Sequence, residues 1–186
     1  ASRFSAERVT VFNKEHVLRR ESAAYGVDGA TYRYSGRTMA ASGWGCLAAL
    51  KAAAEQACGD SDCYHGGDVR PFSFALVMKY PGADVDSDGK RRAAVGMGMH
   101  ADNESSLVDL APIFSFSVMG REPDGTRLTR TFRMVRNSDK KRIDVELGHG
   151  DALVMCGRTQ HAWKHGVPTR ANVKATRYNA TFRILK

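Results

Sequence analysis

The sequence predicts a mainly β fold with one flanking helix, and three observations carry that prediction. Residues 72–78, 113–118, 128–135, 143–147, 152–155 and 177–184 are each short, rich in β-branched or aromatic residues, and separated by turn residues. One stretch, 44–57, instead places apolar residues at helical spacing (Trp44, Leu47, Ala48, Leu50) within a run of good helix formers that stops at Gly59. No repeat, low-complexity tract or Pro/Gly/Ser-rich linker divides the 186 residues, so a single domain, residues 1–186, is expected. Many short strands behind a leading helix point to an antiparallel double-sheet roll or barrel, a fold that can hold a metal in its mouth.

Residues 8–36 carry alternating runs, Val9-Thr10-Val11-Phe12 and Thr31-Tyr32-Arg33-Tyr34, broken by Gly26 and Gly29, and read as strands and turns. The charged segment 84–92, DVDSDGKRR, is expected to be an exposed loop. With 42% hydrophobic and 26% charged residues, the composition is that of an ordinary globular protein, and no apolar run approaches the roughly 20 residues of a membrane span. No secretory signal opens the sequence, and no membrane association is expected. Cys46, Cys58, Cys63 and Cys156 form no CxxC pair in a chain too long to need a disulfide framework. They read as reduced thiols, which implies an intracellular, reducing compartment. A formal net charge of +8 favours an anionic partner.

The chemistry is concentrated in His100-Ala101-Asp102. On an extended strand, residues two apart point to the same side, so this pair offers an imidazole and a carboxylate as adjacent metal ligands. Among the other histidines, His16 lies in a charged run, His65 beside Gly66 and Gly67, and His149 in a turn, which leaves His161 or His165 as the third ligand. Two histidines and a carboxylate with open positions suit a non-haem iron(II) oxygenase. The last strand adds a separate sign. Period-two alternation puts Arg177, Asn179, Thr181 and Arg183 on one face and Tyr178, Ala180 and Phe182 on the other. Facing solvent, the polar side would mark an ordinary edge strand. Facing inward, it would present two guanidiniums and an amide to a dicarboxylate.

These residues stand in a longer pattern: Ala24-Tyr25-Gly26, Tyr32-Arg33-Tyr34-Ser35-Gly36, Tyr80-Pro81-Gly82, His100-Ala101-Asp102-Asn103-Glu104, Pro112-Ile113 with Ser115 and Ser117, His149-Gly150-Asp151, residues 161–168, and residues 177–183. In this order and over nearly the whole chain, the sequence resembles the AlkB-type nucleic-acid dealkylases, most closely their eukaryotic duplex-DNA repair branch. The resemblance implies a double-stranded β-helix (jelly-roll) core over 71–186, with residues 1–40 as a substrate-recognition lid and possible finger. It implies Fe(II) held by His100, Asp102 and His165, and 2-oxoglutarate held at its distal carboxylate by Arg177 and Asn179. Tyr80 would lie nearby and Arg183 close to the other carboxylate. With dioxygen, such enzymes hydroxylate a base N-alkyl group, which then leaves as an aldehyde, with succinate and carbon dioxide as co-products. The base must be flipped out of the duplex to be reached. Tyr34 and His100 would sandwich it, and Tyr32, Asn103 and Glu104 would meet its polar edge.

The resemblance extends to the substrate. Val11-Phe12-Asn13-Lys14 looks like the branch's finger hairpin, with Phe12 as an apolar wedge into the base stack and Arg20 as a backbone contact. Phe12 reads equally as a core residue of the first strand. Asn13 stands where the family has Gly, which a turn accepts because Asn is enriched at positive φ. Residues 121–142 hold eight basic residues (Arg121, Arg127, Arg130, Arg133, Arg136, Lys140, Lys141, Arg142) against Glu122, Asp124 and Asp139, a local net of +5 suited to phosphates. Two features depart from the family. Met78 stands where an Asn usually contacts the co-substrate, and the loop 83–98 is longer. The expected function is thus oxidative demethylation of N-alkylated bases in DNA rather than RNA, by a monomer, in the nucleus if the source is eukaryotic and otherwise in the cytoplasm. The alternatives are the same chemistry on RNA, protein or a small molecule, or a non-catalytic nucleic-acid-binding domain. A zinc hydrolase built on His161 and His165 is set aside, because Ala162 occupies the position of the HExxH glutamate.

Overall fold

The computed structural model describes residues 3–11, 13–34, 37–60, 63, 71–121 and 125–186. The chain opens with a hairpin of β1 (Ser5–Val11) and β2 (Lys14–Gly26). Val11 pairs with Lys14 across the turn, and Asn13 sits there at φ 61°, the left-handed conformation expected of it. A second hairpin, β3 (Thr31–Tyr34) and β4 (Arg37–Ala40), precedes a 3₁₀ turn, Gly45–Leu47, and α1 (Ala48–Gly59). There follow β5 (Phe74–Tyr80), a short hairpin of β6 (Asp84–Val85) and β7 (Arg91–Arg92), β8 (Met97–His100) and β9 (Ile113–Met119). The rest of the chain forms β10 (Thr129–Arg136), β11 (Arg142–Gly148), β12 (Ala152–Met155), α2 (Thr159–Ala162), β13 (Trp163–Val167) and β14 (Arg177–Arg183).

Two antiparallel sheets form the body, with strand orders β1-β2-β5-β14-β9-β12 and β11-β10-β13-β8. Ile113 and Met155 of the first sheet pack with Phe132, Leu147 and Val167 of the second, closing the space between them as a jelly roll. The last strand lies centrally, paired with β5 on one side and β9 on the other. Its polar residues therefore face the second sheet, and Ala180 and Phe182 face α1. Phe182 is fully buried, with its ring centroid 6.1 Å from that of Trp44 in a stacked arrangement. Ala54 and Cys58 of α1 belong to the same core. Burial on both faces requires a central strand to satisfy polar groups internally, and β14 does so through hydrogen bonds described below.

Several elements differ from expectation. β2 runs 13 residues, and its burial changes from exposed at Lys14 to buried by Ser22. Its first half pairs with β1 and extends past β5, so no single alternation marks it. Within residues 1–40, β1 and β2 join the same sheet as β14, and β3–β4 forms a separate two-stranded sheet. The 84–92 segment is largely exposed, as expected, and is ordered as a short hairpin: Asp86 Oδ1 accepts from the Asp88 and Lys90 amides, which turns the chain back on itself. The four thiols are corrected too. Cys63 and Cys156 form a disulfide across 93 residues, with Cα atoms 5.1 Å apart, while Cys46 and Cys58 take no part in a disulfide. The end of β12 brings Cys156 beside Cys63, a proximity that linear spacing does not display. Cysteine usage therefore gives no argument for a reducing compartment.

Candidate active site

β8 and β13 are adjacent strands, and their pairing sets His165 directly opposite His100. Their rings lie 4.4 Å apart, centroid to centroid. β8 ends at His100, and the chain beyond it turns Asp102 inward, where it is buried. His100 Nε2 lies 3.8 Å from Asp102 Oδ1, and His165 Nε2 lies 3.9 Å from Oδ2. One donor atom from each of the three residues falls within 4.8 Å of the others. His161 lies elsewhere: it is exposed and pairs with Asp109 at 2.7 Å. Of the two candidates for the third ligand, the fold brings His165 to the pair.

The protonation states suit a cation. His100 Nδ1 lies 2.9 Å from the Gly98 carbonyl, which can only accept, so Nδ1 is the donor there and Nε2 is the nitrogen turned to the triad. Burial pushes the His165 pKa down to about 4, which leaves that ring neutral near pH 7. Phe132 stacks on it at 5.3 Å. Burial opposes ionisation of Asp102, but the Arg183 guanidinium, with smaller contributions from His165 and His100, outweighs it and holds the carboxyl below its ordinary value. Arg183 donates to Asp102 Oδ2 at 2.9 Å, and Oδ1 is buried with no hydrogen-bond partner among the described residues. A neutral His165 imidazole, the His100 imidazole beside it and a carboxylate with one orphaned oxygen fit a divalent ion such as Fe(II).

The same cavity continues to the polar face of β14. It is lined by Arg177, Asn179, Tyr80, Ser115 and Met78 as well as by the triad, with Leu76, Met97, Phe132, Met155 and Val167 as apolar walls. Arg177 is 2% exposed and forms no ion pair with an acid among the described residues. It donates to Ser117 Oγ at 2.8 Å and to Asn179 Oδ1 at 2.5 Å, and its guanidinium lies 5.4 Å from the Tyr80 ring centre. Its Nε is buried without a partner. Ser115 Oγ and Thr181 Oγ1 fix the Asn179 amide, at 3.0 and 2.8 Å. A buried cation facing a cavity with no acid beside it calls for an anionic ligand, and a carboxylate of 2-oxoglutarate fits.

Other expected site residues are placed as follows. Tyr32 is fully buried, with the Arg183 guanidinium 5.1 Å from its ring centre. Burial raises its phenol pKa, and a Glu104 hydrogen bond adds to the rise. Glu104 is half-buried and Asn103 exposed. Arg20 is half-buried, ion-paired to Glu7, and 3.3 Å from the Gly96 carbonyl, so its guanidinium is occupied within the fold. Phe12 and the Tyr34 side chain lie outside the described residues. The basic stretch is less cationic than its composition. Arg133 and Arg142 pair with Asp144, Arg136 with Asp139 and Arg127 with Asp151, and Arg130 is buried on the Val95 and Pro168 carbonyls. Asp144 and Asp151 lie beyond the window that yields a local net of +5, and sheet pairing and the chain's return bring them back to it. Two contributors escaped the sequence reading. Phe132 could have been found from the alternation of β10, whereas Gln160, which accepts from the Asp102 amide at 2.9 Å, left no local signal.

Comparison with known proteins accords with this geometry. Residues 3–183 match the 2OG-Fe(II) oxygenase superfamily. The chain is 31% identical over 184 residues to the DNA oxidative demethylase ALKBH2 of Mus musculus, covering 95% of this chain and 66% of that protein. It is 30% identical over 184 residues to the Homo sapiens protein of the same name, covering 95% and 60%. The alpha-ketoglutarate-dependent dioxygenase alkB homolog 3 of Mus musculus is 36% identical over 93 residues, covering 45% of this chain and 30% of that protein. The chain thus spans between about half and two thirds of the length of the mammalian ALKBH2 proteins it matches. With the triad, the buried arginine and the jelly roll in place, the chain belongs to the 2OG-Fe(II) oxygenase superfamily and, within it, to the AlkB-type group.

Proposed function

We propose that the protein is a dioxygenase that removes alkyl groups from bases of nucleic acid, DNA in preference to RNA. The observation that carries the proposal is the shared cavity: a buried, acid-free Arg177 at one end and a triad of His100, Asp102 and His165 at the other. Bound there, Fe(II) with 2-oxoglutarate and dioxygen supplies the oxidising power to hydroxylate an N-alkyl carbon. The chain's own residues do the rest. Arg177 and Asn179 hold the distal carboxylate, with Tyr80 alongside, and Arg183 keeps Asp102 ionised and aimed. Leu76, Phe132, Met155 and Val167 exclude water, and Met78 offers an apolar contact where the family usually has an amide.

For the substrate, the support is the names of the relatives and the mouth of the site. His100 remains partly exposed at that mouth, next to Asn103 and Glu104, where a flipped base would stack on the imidazole and meet the two polar side chains, while Tyr32, fully buried, is better suited to supporting the site from behind. Tyr34 is proposed as the second face of that sandwich and Phe12, between β1 and β2 in sequence, as the wedge that replaces the base in the stack. Arg20, held by Glu7, is better suited to bracing β1 on β2 than to a phosphate. A DNA substrate places the enzyme inside the cell, in the nucleus of a eukaryote, acting as a monomer. Incubation with Fe(II), 2-oxoglutarate and N-methylated duplex DNA, single-stranded DNA or RNA tests the proposal. Formaldehyde release is expected, greatest from DNA. Succinate without aldehyde from any of the three would move the activity to another substrate class.

A further inference from the structure

We infer that Gln160 is a positioning residue for the metal's carboxylate ligand, with α2 serving as the bracket that holds it. The inference rests on the metal-binding reading of the triad. β8 stops at His100, so the backbone at Asp102 lies outside the regular ladder. Across that gap the Asp102 N–H donates to Gln160 Oε1 at 2.9 Å. The other end of the amide is held as well, since Gln160 Nε2 donates to Met155 Sδ at 3.3 Å. A donor on one side and a thioether acceptor on the other allow only one orientation of the amide.

The turn that carries Gln160 is itself tied down on several sides. Thr159 Oγ1 donates to the Cys156 carbonyl at 2.6 Å, and Cys156 is joined to Cys63. Asn137 donates from its backbone N–H to the Ala162 carbonyl and from Nδ2 to the His161 carbonyl, at 2.8 and 2.9 Å. His161 meets Asp109 on the outer side. A four-residue helix has little stability of its own, and these ties explain why it persists. Asp102 Oδ2 is fixed by Arg183, but a single hydrogen bond to one carboxylate oxygen leaves the main chain free to pivot. Gln160 removes that freedom, so the carboxylate stays turned toward the imidazoles, with Oδ1 near His100 and Oδ2 near His165.

The test is Co(II) titration of the metal-free full chain, read by affinity and by the visible absorption bands of the bound ion, with apoprotein Tm measured alongside. Gln160→Met keeps the length and removes the acceptor; it is expected to weaken Co(II) binding at least tenfold and to alter the bands, with apoprotein Tm within a few degrees of the parent. Gln160→Glu keeps an acceptor and is expected to restore affinity to within about threefold. Gln160→Asn, one methylene too short, is expected to behave like the Met variant and decides the matter if that variant does not fold. His161→Ala loosens the outer side of α2 without touching Gln160 and is expected to match the parent. Parental affinity and spectrum in Gln160→Met or Gln160→Asn would overturn the inference. So would equal losses in Gln160→Met and Gln160→Glu, or a loss in His161→Ala as large as in Gln160→Met. A parent chain that binds no Co(II) would instead overturn the metal reading itself.

Discussion

At the scale of single residues, the site is defined by which charges are satisfied and which are left open. His165 is buried and neutral, and its pKa of about 4 lies below the ordinary value of 6.5. The unfolded chain therefore binds a proton at this position that the folded apoprotein refuses, and stability falls as pH drops from about 6.5 toward 4. Above that window the residue adds no pH dependence. Apoprotein melting curves are expected to show a steeper loss across this range in the parent than in His165→Asn, and parallel curves would deny the burial argument. Arg177 is the converse case, a cation buried without an acid. Arg177→Met is expected to raise KM for 2-oxoglutarate by about ten- to a hundredfold, the worth of a lost charge-assisted pair. Its Co(II) affinity should stay near that of the parent, which steady-state kinetics and metal titration would separate. Residue chemistry was legible wherever chain order alone grouped the donors: His100 with Asp102, and Arg177 with Asn179. Choosing between His161 and His165 from the residues alone was not possible, because both lie within one turn of the same segment and only strand pairing separates them.

At the scale of elements, the metal site is a product of close strand approach. Gly166 follows His165 on β13, and a Cβ there would come within 2.8 Å of the Met97 carbonyl and 3.0 Å of the Gly98 carbonyl on β8. Gly166→Ala therefore pushes β8 away and takes His100 with it. A loss of about 1–3 kcal/mol in stability is expected, together with weaker metal binding, measurable by denaturant melts and Co(II) titration. Parental metal affinity would mean that β8 yields without moving His100. Two of the strands that sequence reading missed share one property. β8 (MGMH) and β13 (WKHGV) are short, contain glycine, and carry functional side chains where β-formers would otherwise stand. β5, β9 and β14 were legible because they are buried central strands dense in β-formers.

At the scale of the whole molecule, the fold class was legible from strand count and the single helix. Charge distribution was not, because it depends on partners brought from elsewhere in the chain. With Arg127, Arg133, Arg136 and Arg142 paired to acids and Arg130 buried, Arg121 and Lys141 are the residues of that stretch best placed to meet phosphate. Removing both charges, as Arg121→Gln with Lys141→Gln, is expected to weaken duplex binding and to reduce the salt slope of log K by about 2, while Arg133→Gln leaves the slope unchanged. A slope unaffected by the double variant would put the phosphate-facing surface elsewhere.

The central claim is that His100, Asp102 and His165 form one metal centre that works with the Arg177 cavity. Its most direct measurement is Fe(II)-dependent succinate formation from 2-oxoglutarate in parallel for the parent, His165→Ala and His161→Ala proteins, each checked for folding. Turnover is expected to vanish in His165→Ala and to persist in His161→Ala. An equal loss in both folded variants, or persistence in His165→Ala, would contradict the assignment.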